Sequence, residues 1–210
     1  LVVPVVRLMN VNVPVLNNTS TGTLTFINRT TGTTRFTGSN SATGNTIVQA
    51  GTLVADFTTN TANTDKISAG LLQFGNGSAA TDNGGAFVIS GTAAGPISAS
   101  GLLFNNGSTK VPHYSLRRES SNTQLLLTGS MNKGSNTSFT ADVEPGMVVL
   151  TTGTNGLPRT NGVFVAPGGG GNVTVGNDWA ALSSANSGTI QAFTNYVDFQ
   201  TAFSSAISST

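Results

Sequence analysis

Short apolar stretches at every second position, each closed by glycine, asparagine, serine or threonine, run through most of this chain. Leu24 and Phe26, Leu72 and Phe74, Phe87 and Ile89, Leu125 and Leu127, Val148 and Leu150, Val163 and Val165, and Val173 and Val175 carry the pattern, with Ile47, Leu53, Phe57 and Leu103 between them. A period of two turns one side of an extended chain inward and predicts strands. Asn76-Gly77, Asn83-Gly84, Asn106-Gly107, Asn155-Gly156 and Asn161-Gly162 are expected to supply the positive φ angles of tight turns. Only the tail departs from this period. From Asn195 onward, Tyr196, Phe199, Phe203 and Ile207 fall three and four apart, which fits a short helix capped by Asn195 or a final strand.

One phrase is written twice, as GLLQFGNGS over residues 70–78 and GLLFNNGS over 101–108, and related glycine-led phrases open at Gly22 and Gly51. Intervals of about 20–30 residues belong to repeat architectures in which one supersecondary unit stacks on the next. The expected fold is therefore all-β, a parallel β-solenoid, with an antiparallel β-sandwich as the alternative. Alternation and Asn-Gly turns by themselves favour the sandwich. The repeated phrase and the low charge favour the solenoid, because stacked amides and hydroxyls satisfy one another along a parallel ladder.

Composition narrows the function. Charged residues are 8% of the 210, against about 25% in an average soluble protein, and the net charge is +1 with the Lys and Arg scattered. Nothing resembles the basic stripe that a run of phosphates requires, so no nucleic acid is expected as partner. Hydrophobic residues are 37%, enough for a sizeable core. There is no cysteine, which removes disulfides, thiol nucleophiles and thiolate metal sites. No stretch reaches the ~18 apolar residues of a membrane helix, so no transmembrane segment is expected.

Catalysis finds little support. The single histidine, His113, has no G-x-S-x-G elbow to serve. Of the eight acids only Asp142 and Glu144 stand close, and Pro145-Gly146 after them reads as a strand entering a turn. The run from Pro167 to Gly171 lacks the Lys-Ser/Thr of a phosphate loop and reads as a linker or wide turn. No enzyme activity, no cofactor, no catalytic residue and no metal are expected.

The phrases TGTLTF, NTIVQAGTLVADF and SAGLLQFGNGS resemble the autotransporter-associated β-strand repeat, with Thr46, Ile47, Gly51, Thr52 and Leu53 on its "T-x-I-x-x-G-T-L" pattern. The tail NDWAALSSANSGTIQAFTNYVDF, from Asn177, is similar to a segment found between such repeats. Together these cover residues 20–105 and 170–200. The resemblance implies a right-handed parallel β-helix, exported to the cell surface or beyond and usually without catalytic residues. The chain departs from it in carrying no recognisable C-terminal membrane barrel and in the stretch KVPHYSLRRESSNTQ, from Lys110, which is not repeat-like.

Four parts are expected: an N-terminal extended strand (1–18), a solenoid core (19–166) with an insertion near 109–122, a Gly-rich linker or turn (167–171), and a C-terminal segment or cap (172–210). In the first, Val3, Val5, Met9, Val11, Val13 and Val15 line one apolar face. Such a strand either lines its own core or adds to an identical subunit, head-to-tail or by strand addition. The expected function is an extracellular structural protein, a self-associating subunit of a bacterial surface fibre, filament or matrix. The alternative is a surface adhesin or glycan-binding passenger whose contact loop uses Lys110, His113, Tyr114, Arg117 and Arg118; without a ligand, the same stretch reads as an exposed insertion whose arginines pair with Glu119 and Asp142.

Overall fold

Alternating β-branched and aromatic residues between glycine and asparagine turns become strands throughout a computed structural model that describes residues 5–8, 12–13, 25–28, 31–40, 43–59, 66–77, 84–107, 111–119, 124–134, 138–153, 156–157, 163–164, 171–183 and 188–193. In chain order the strands are β1 (Val5–Leu8), β2 (Asn12–Val13), β3 (Thr25–Asn28), β4 (Thr33–Phe36), β5 (Thr46–Val48), β6 (Ala50–Asp56), β7 (Leu71–Phe74), β8 (Gly84–Ser90) and β9 (Ile97–Ala99). They continue as β10 (Gly101–Phe104), β11 (His113–Arg118), β12 (Gln124–Thr128), β13 (Met131–Lys133), β14 (Phe139–Val143), β15 (Met147–Thr151), β16 (Gly171–Val175), β17 (Asp178–Leu182) and β18 (Gly188–Ala192). The protein is all-β, and no helix among the described residues is long and apolar enough to cross a membrane. The tail from Asn195, including Tyr196, Phe199, Phe203 and Ile207, lies outside the described residues.

A six-stranded sheet has the order β1-β3-β5-β7-β10-β13 and is parallel throughout. The larger, twelve-stranded sheet runs β2-β4-β6-β8-β11-β14-β16-β17-β18-β15-β12-β9, open at β2 and β9. Its ladders are parallel from β2 to β16 and again from β15 to β9. The antiparallel ladders are those of β16 with β17, β17 with β18, and β18 with β15. They occupy the edges of β16 and β15 that face the C-terminal end of the two stacks.

The core fills the space between the sheets with residues that share columns across neighbouring strands. Leu53, Phe87, Leu116 and Val143 form one such column in the larger sheet, and Val48, Phe74 and Phe104 form one in the smaller. Phe104 lies between two stacked rings, Phe74 at 5.4 Å and Phe139 at 4.3 Å between centroids. Tyr114 leans against all three.

The repeated phrase is registered from its phenylalanine, not its glycine. Leu72 pairs with Leu102 and Phe74 with Phe104, which sets Gly101 beside Leu71. The missing residue is thus absorbed at the entry to the strand. Gly70 is required by a close approach: a methyl there would run into the carbonyl oxygen of Gly44. Gly51 is not equivalent to it, since it lies inside β6 of the larger sheet with φ of 67°. Of the Asn-Gly pairs, Gly77 and Gly84 do take positive φ, 79° and 86°. Gly156 does not: its N–H donates to Met131 O, and the Asn132 amide occupies the place of a side chain.

Two further expectations change. The stretch proposed as an insertion near 109–122 contains β11, a strand interior to the larger sheet that pairs β8 on one side and β14 on the other. Its Tyr114 and Leu116 are core residues, and the charges around them hid that alternation. In β15 the core takes Met147 and Val149 where period two had marked Val148 and Leu150, and β10 buries Leu102 and Phe104 on either side of Leu103.

Candidate functional site

Strand alternation gives the larger sheet an outer face, and the registers sort its outward side chains into three columns. Ala50, Gly84, His113, Thr140 and Asn172 form the first. Thr52, Ala86, Ser115, Asp142, Thr174 and Trp179 form the second. Val54, Val88 and Arg117 form the third. Ala50, Val54 and Val88 are buried although they point outward, and the third column starts on β4 with Arg35, the register partner of Val54; exposed polar groups return at β11 with His113 and Arg117. Neighbouring side chains are strand-spaced, ~4.8 Å apart.

Across β11, β14, β16 and β17 these groups hold one another in place. His113 Nδ1 lies 3.0 Å from Thr140 Oγ1. The Thr174 hydroxyl donates to Asp142 Oδ1 at 2.8 Å, and Arg117 approaches the other carboxylate oxygen at 3.9 Å. Beside them, Glu144 Oε2 accepts the backbone N–H of Arg118, whose Nε donates to the carbonyl of Pro145, both at 2.9 Å. β14 ends at Val143, and Glu144 to Met147 is the turn that Pro145-Gly146 suggested, with Gly146 at φ 90°. Asp142 and Glu144 are therefore engaged in holding neighbouring strands.

A second cluster borders the same face. The Arg35 guanidinium meets Asp56 at 2.9 Å and Glu119 at 3.3 Å, joining β4, β6 and the residue after β11. Its hydrogen bond to Asp56 keeps the arginine above its ordinary range. For Asp56, burial pushes the carboxyl up, but the Thr58 hydroxyl and N–H together with Arg35 outweigh it and hold it below 3.8. Lys66 is fully buried, donates Nζ to Thr37 O and lies 5.4 Å from the Phe57 ring centre. Burial lowers its pKa from 10.5, and Asp56 offsets this only in part. This cluster ties strands together, with Asp56 and Lys66 buried and Arg35 and Glu119 reaching the surface.

Of the residues marked as ligand contacts, His113 and Arg117 are exposed on the outer face and Arg118 is half-buried at its rim. Tyr114 is corrected: its ring is fully buried among Phe74, Phe104 and Phe139, because it follows His113 by one residue and so points to the opposite side. Lys110 lies outside the described residues. Glu119 pairs with Arg35, 84 residues away, and not with the adjacent arginines. On the N-terminal segment, Val5 falls in β1 and Val13 in β2, while Val3, Met9, Val11 and Val15 lie outside the described residues.

Sequence reasoning missed Thr140, Asn172, Thr174 and Trp179. Their signal is only the shared phase within separate strands, and the spacing between counterparts varies from 27 residues for His113 to Thr140 to 32 for Thr140 to Asn172, so no fixed period aligns them. Among the described residues no three His, Cys, Asp or Glu come together as a metal site. Chemically, the array offers closely spaced donors and acceptors of balanced charge with one large aromatic ring at its end. No protein-family model, curated protein or solved structure matches the chain.

Proposed function

We propose that the chain is a parallel β-solenoid that serves as a non-enzymatic structural protein outside the cell, a self-associating subunit of a bacterial surface fibre, filament or matrix. The observation that carries this reading is the order of the sheets, in which each passage of ~20–30 residues adds one parallel strand to the same edge. The two ends differ in kind. At the N-terminal end β1 and β2 are edge strands of the two sheets, whereas at the other end β13 is the edge of the smaller sheet and β17 and β18 turn across the larger one in antiparallel pairing. Parallel edge strands are templates for an added strand, so identical subunits associate through the N-terminal end. An exterior made of Thr, Ser and Asn in place of charge suits a protein that packs against copies of itself. The low charge and the resemblance to surface repeats support location at the cell surface or beyond.

Negative-stain electron microscopy over a range of concentrations tests this. Assemblies that grow with concentration, and that are lost on deletion of residues 1–16 while β-sheet circular dichroism persists, are the expected result. Single short rods at every concentration overturn it. A second reading, a surface adhesin, is favoured by the polar array on the outer face of β11, β14, β16 and β17. Unchanged glycan binding by an Arg117→Ala, Arg118→Ala double variant would argue against the contact loop first expected.

A further inference from the structure

Going beyond assembly and resting on the adhesin reading, we propose that the outer face of β11, β14, β16 and β17 binds a neutral glycan, with Trp179 as its stacking platform. Three independent features of the face converge on this ligand. The first is the change of character along each column. The same outward positions are glycine, alanine and valine on β8 but His113, Ser115 and Arg117 on β11, followed by Thr140 and Asp142 on β14. Val54 and Val88 are buried and Arg35 is taken up by Asp56, so the solvent-reached polar groups of this face gather on β11 and the strands after it, with His113 and Arg117 exposed.

The second feature is charge balance. Arg117 lies 3.9 Å from Asp142, the Arg118 guanidinium donates to the Pro145 carbonyl while its N–H donates to Glu144, and Arg35 at the border is shared by Asp56 and Glu119. A face that recognised a uronate or a phosphate would leave positive charge uncompensated. Here Arg35, Arg117 and Arg118 are accompanied by Asp56, Glu119, Asp142 and Glu144, which leaves hydrogen-bonding capacity with no surplus of positive charge. The third is Trp179, half-buried on β17 and directly opposite Thr174 in the register, so it closes the second column, next to Thr174 and Asp142. A partly exposed indole beside hydroxyl and carboxylate groups matches a pyranose, which has an apolar ring face and a polar rim. The strand spacing, ~4.8 Å, is close to the length of one sugar residue, so a chain lying across the strands meets a fresh set of donors and acceptors at each step.

The protein has one tryptophan, so its emission reports on this face alone. The full chain is titrated with neutral hexasaccharides of glucose, mannose and galactose, and with a polyuronate, while the same protein is applied to a glycan array. The expected result is a saturable change in emission with at least one neutral hexasaccharide, unaltered between about 50 and 500 mM salt because no net charge is involved. Trp179→Phe, followed on the array, should weaken binding about tenfold or more, as loss of an aromatic anchor does. His113→Ala with Asp142→Asn should weaken it with circular dichroism unchanged, which separates lost contacts from lost fold. Array binding with a silent tryptophan places the glycan elsewhere and overturns the site while leaving adhesion standing. No array binding at all overturns the adhesin reading itself. A response to polyuronate alone overturns the neutral ligand, and an emission shift that follows protein concentration without sugar assigns the face to a second copy instead.

Discussion

Replacing Phe104 by alanine should remove about 4 kcal/mol of stability, within the roughly 3–5 kcal/mol measured for buried phenylalanines. The ring is 1% exposed. It is held between Phe74 and Phe139 and touches the tilted ring of Tyr114, so its loss opens a cavity walled by three aromatic side chains from β7, β14 and β11. Those neighbours are fixed in ladders of their own, and the cavity cannot close by small shifts. For a chain of this length the loss corresponds to a fall in Tm of roughly 8–16 °C. Urea unfolding followed by far-UV circular dichroism, alongside calorimetry, measures it. Phe104→Leu, which refills most of the space, should lose about 1–2 kcal/mol. Because the stack bridges successive strands of both sheets, the alanine variant should also broaden or split the transition. An alanine loss below about 1 kcal/mol, or one equal to that of leucine, refutes the cavity argument.

Acid should expose the Arg35 cluster. The folded pKa of Asp56 lies below 3.8, so its contribution is complete above 3.8 and disappears as pH falls from there through the folded value. Asp56→Asn should flatten that limb of the Tm–pH curve. Lys66 acts at the other extreme. Its folded pKa lies below 10.5, so between the two values the unfolded chain binds more protons and stability rises with pH. Lys66→Met should remove that slope, and a wild-type curve without it would show the ammonium to be better compensated than its surroundings suggest. Among the glycines, Gly70→Ala should lose about 1–3 kcal/mol, the usual range for overpacking, because a backbone carbonyl stands in the way. Gly101→Ala should lose less, since the nearest obstacle is the flexible end of Leu71, 2.9 Å away. Equal losses, read by urea midpoint, would remove the distinction.

Local alternation was enough to read most strands and the all-β class, because side-chain direction in an extended chain follows from covalent geometry. Of the five Asn-Gly pairs, two, at Gly77 and Gly84, take the expected positive φ. Charge density, not alternation, marked His113, Arg117 and Arg118. Where apolar residues run together, as in Leu102 to Phe104 and Met147 to Leu150, alternation names no face. The neighbouring strand decides, by pairing Leu102 with Leu72 and Leu126 with Val149. Tyr114 shows the same limit at a site. Beside His113 it reads as a surface contact, yet the register sets it among three phenylalanines.

The sequence by itself determined which segments extend and where they break, because strand propensity and glycine's freedom act over a few residues. It also determined that charge is sparse, 8% of the residues. Only the tertiary structure decided that the strands pair in parallel, that Gly70 answers a carbonyl from an earlier part of the chain, and that Arg35 meets Glu119. It alone placed Trp179 at the end of a column with Ser115, Asp142 and Thr174. Apart from the local pairing of Trp179 with Thr174, those outcomes rest on contacts between residues some 20 to 84 positions apart. Loop lengths vary between successive strands, so no period along the chain encodes which residues meet; backbone hydrogen bonding between strands does.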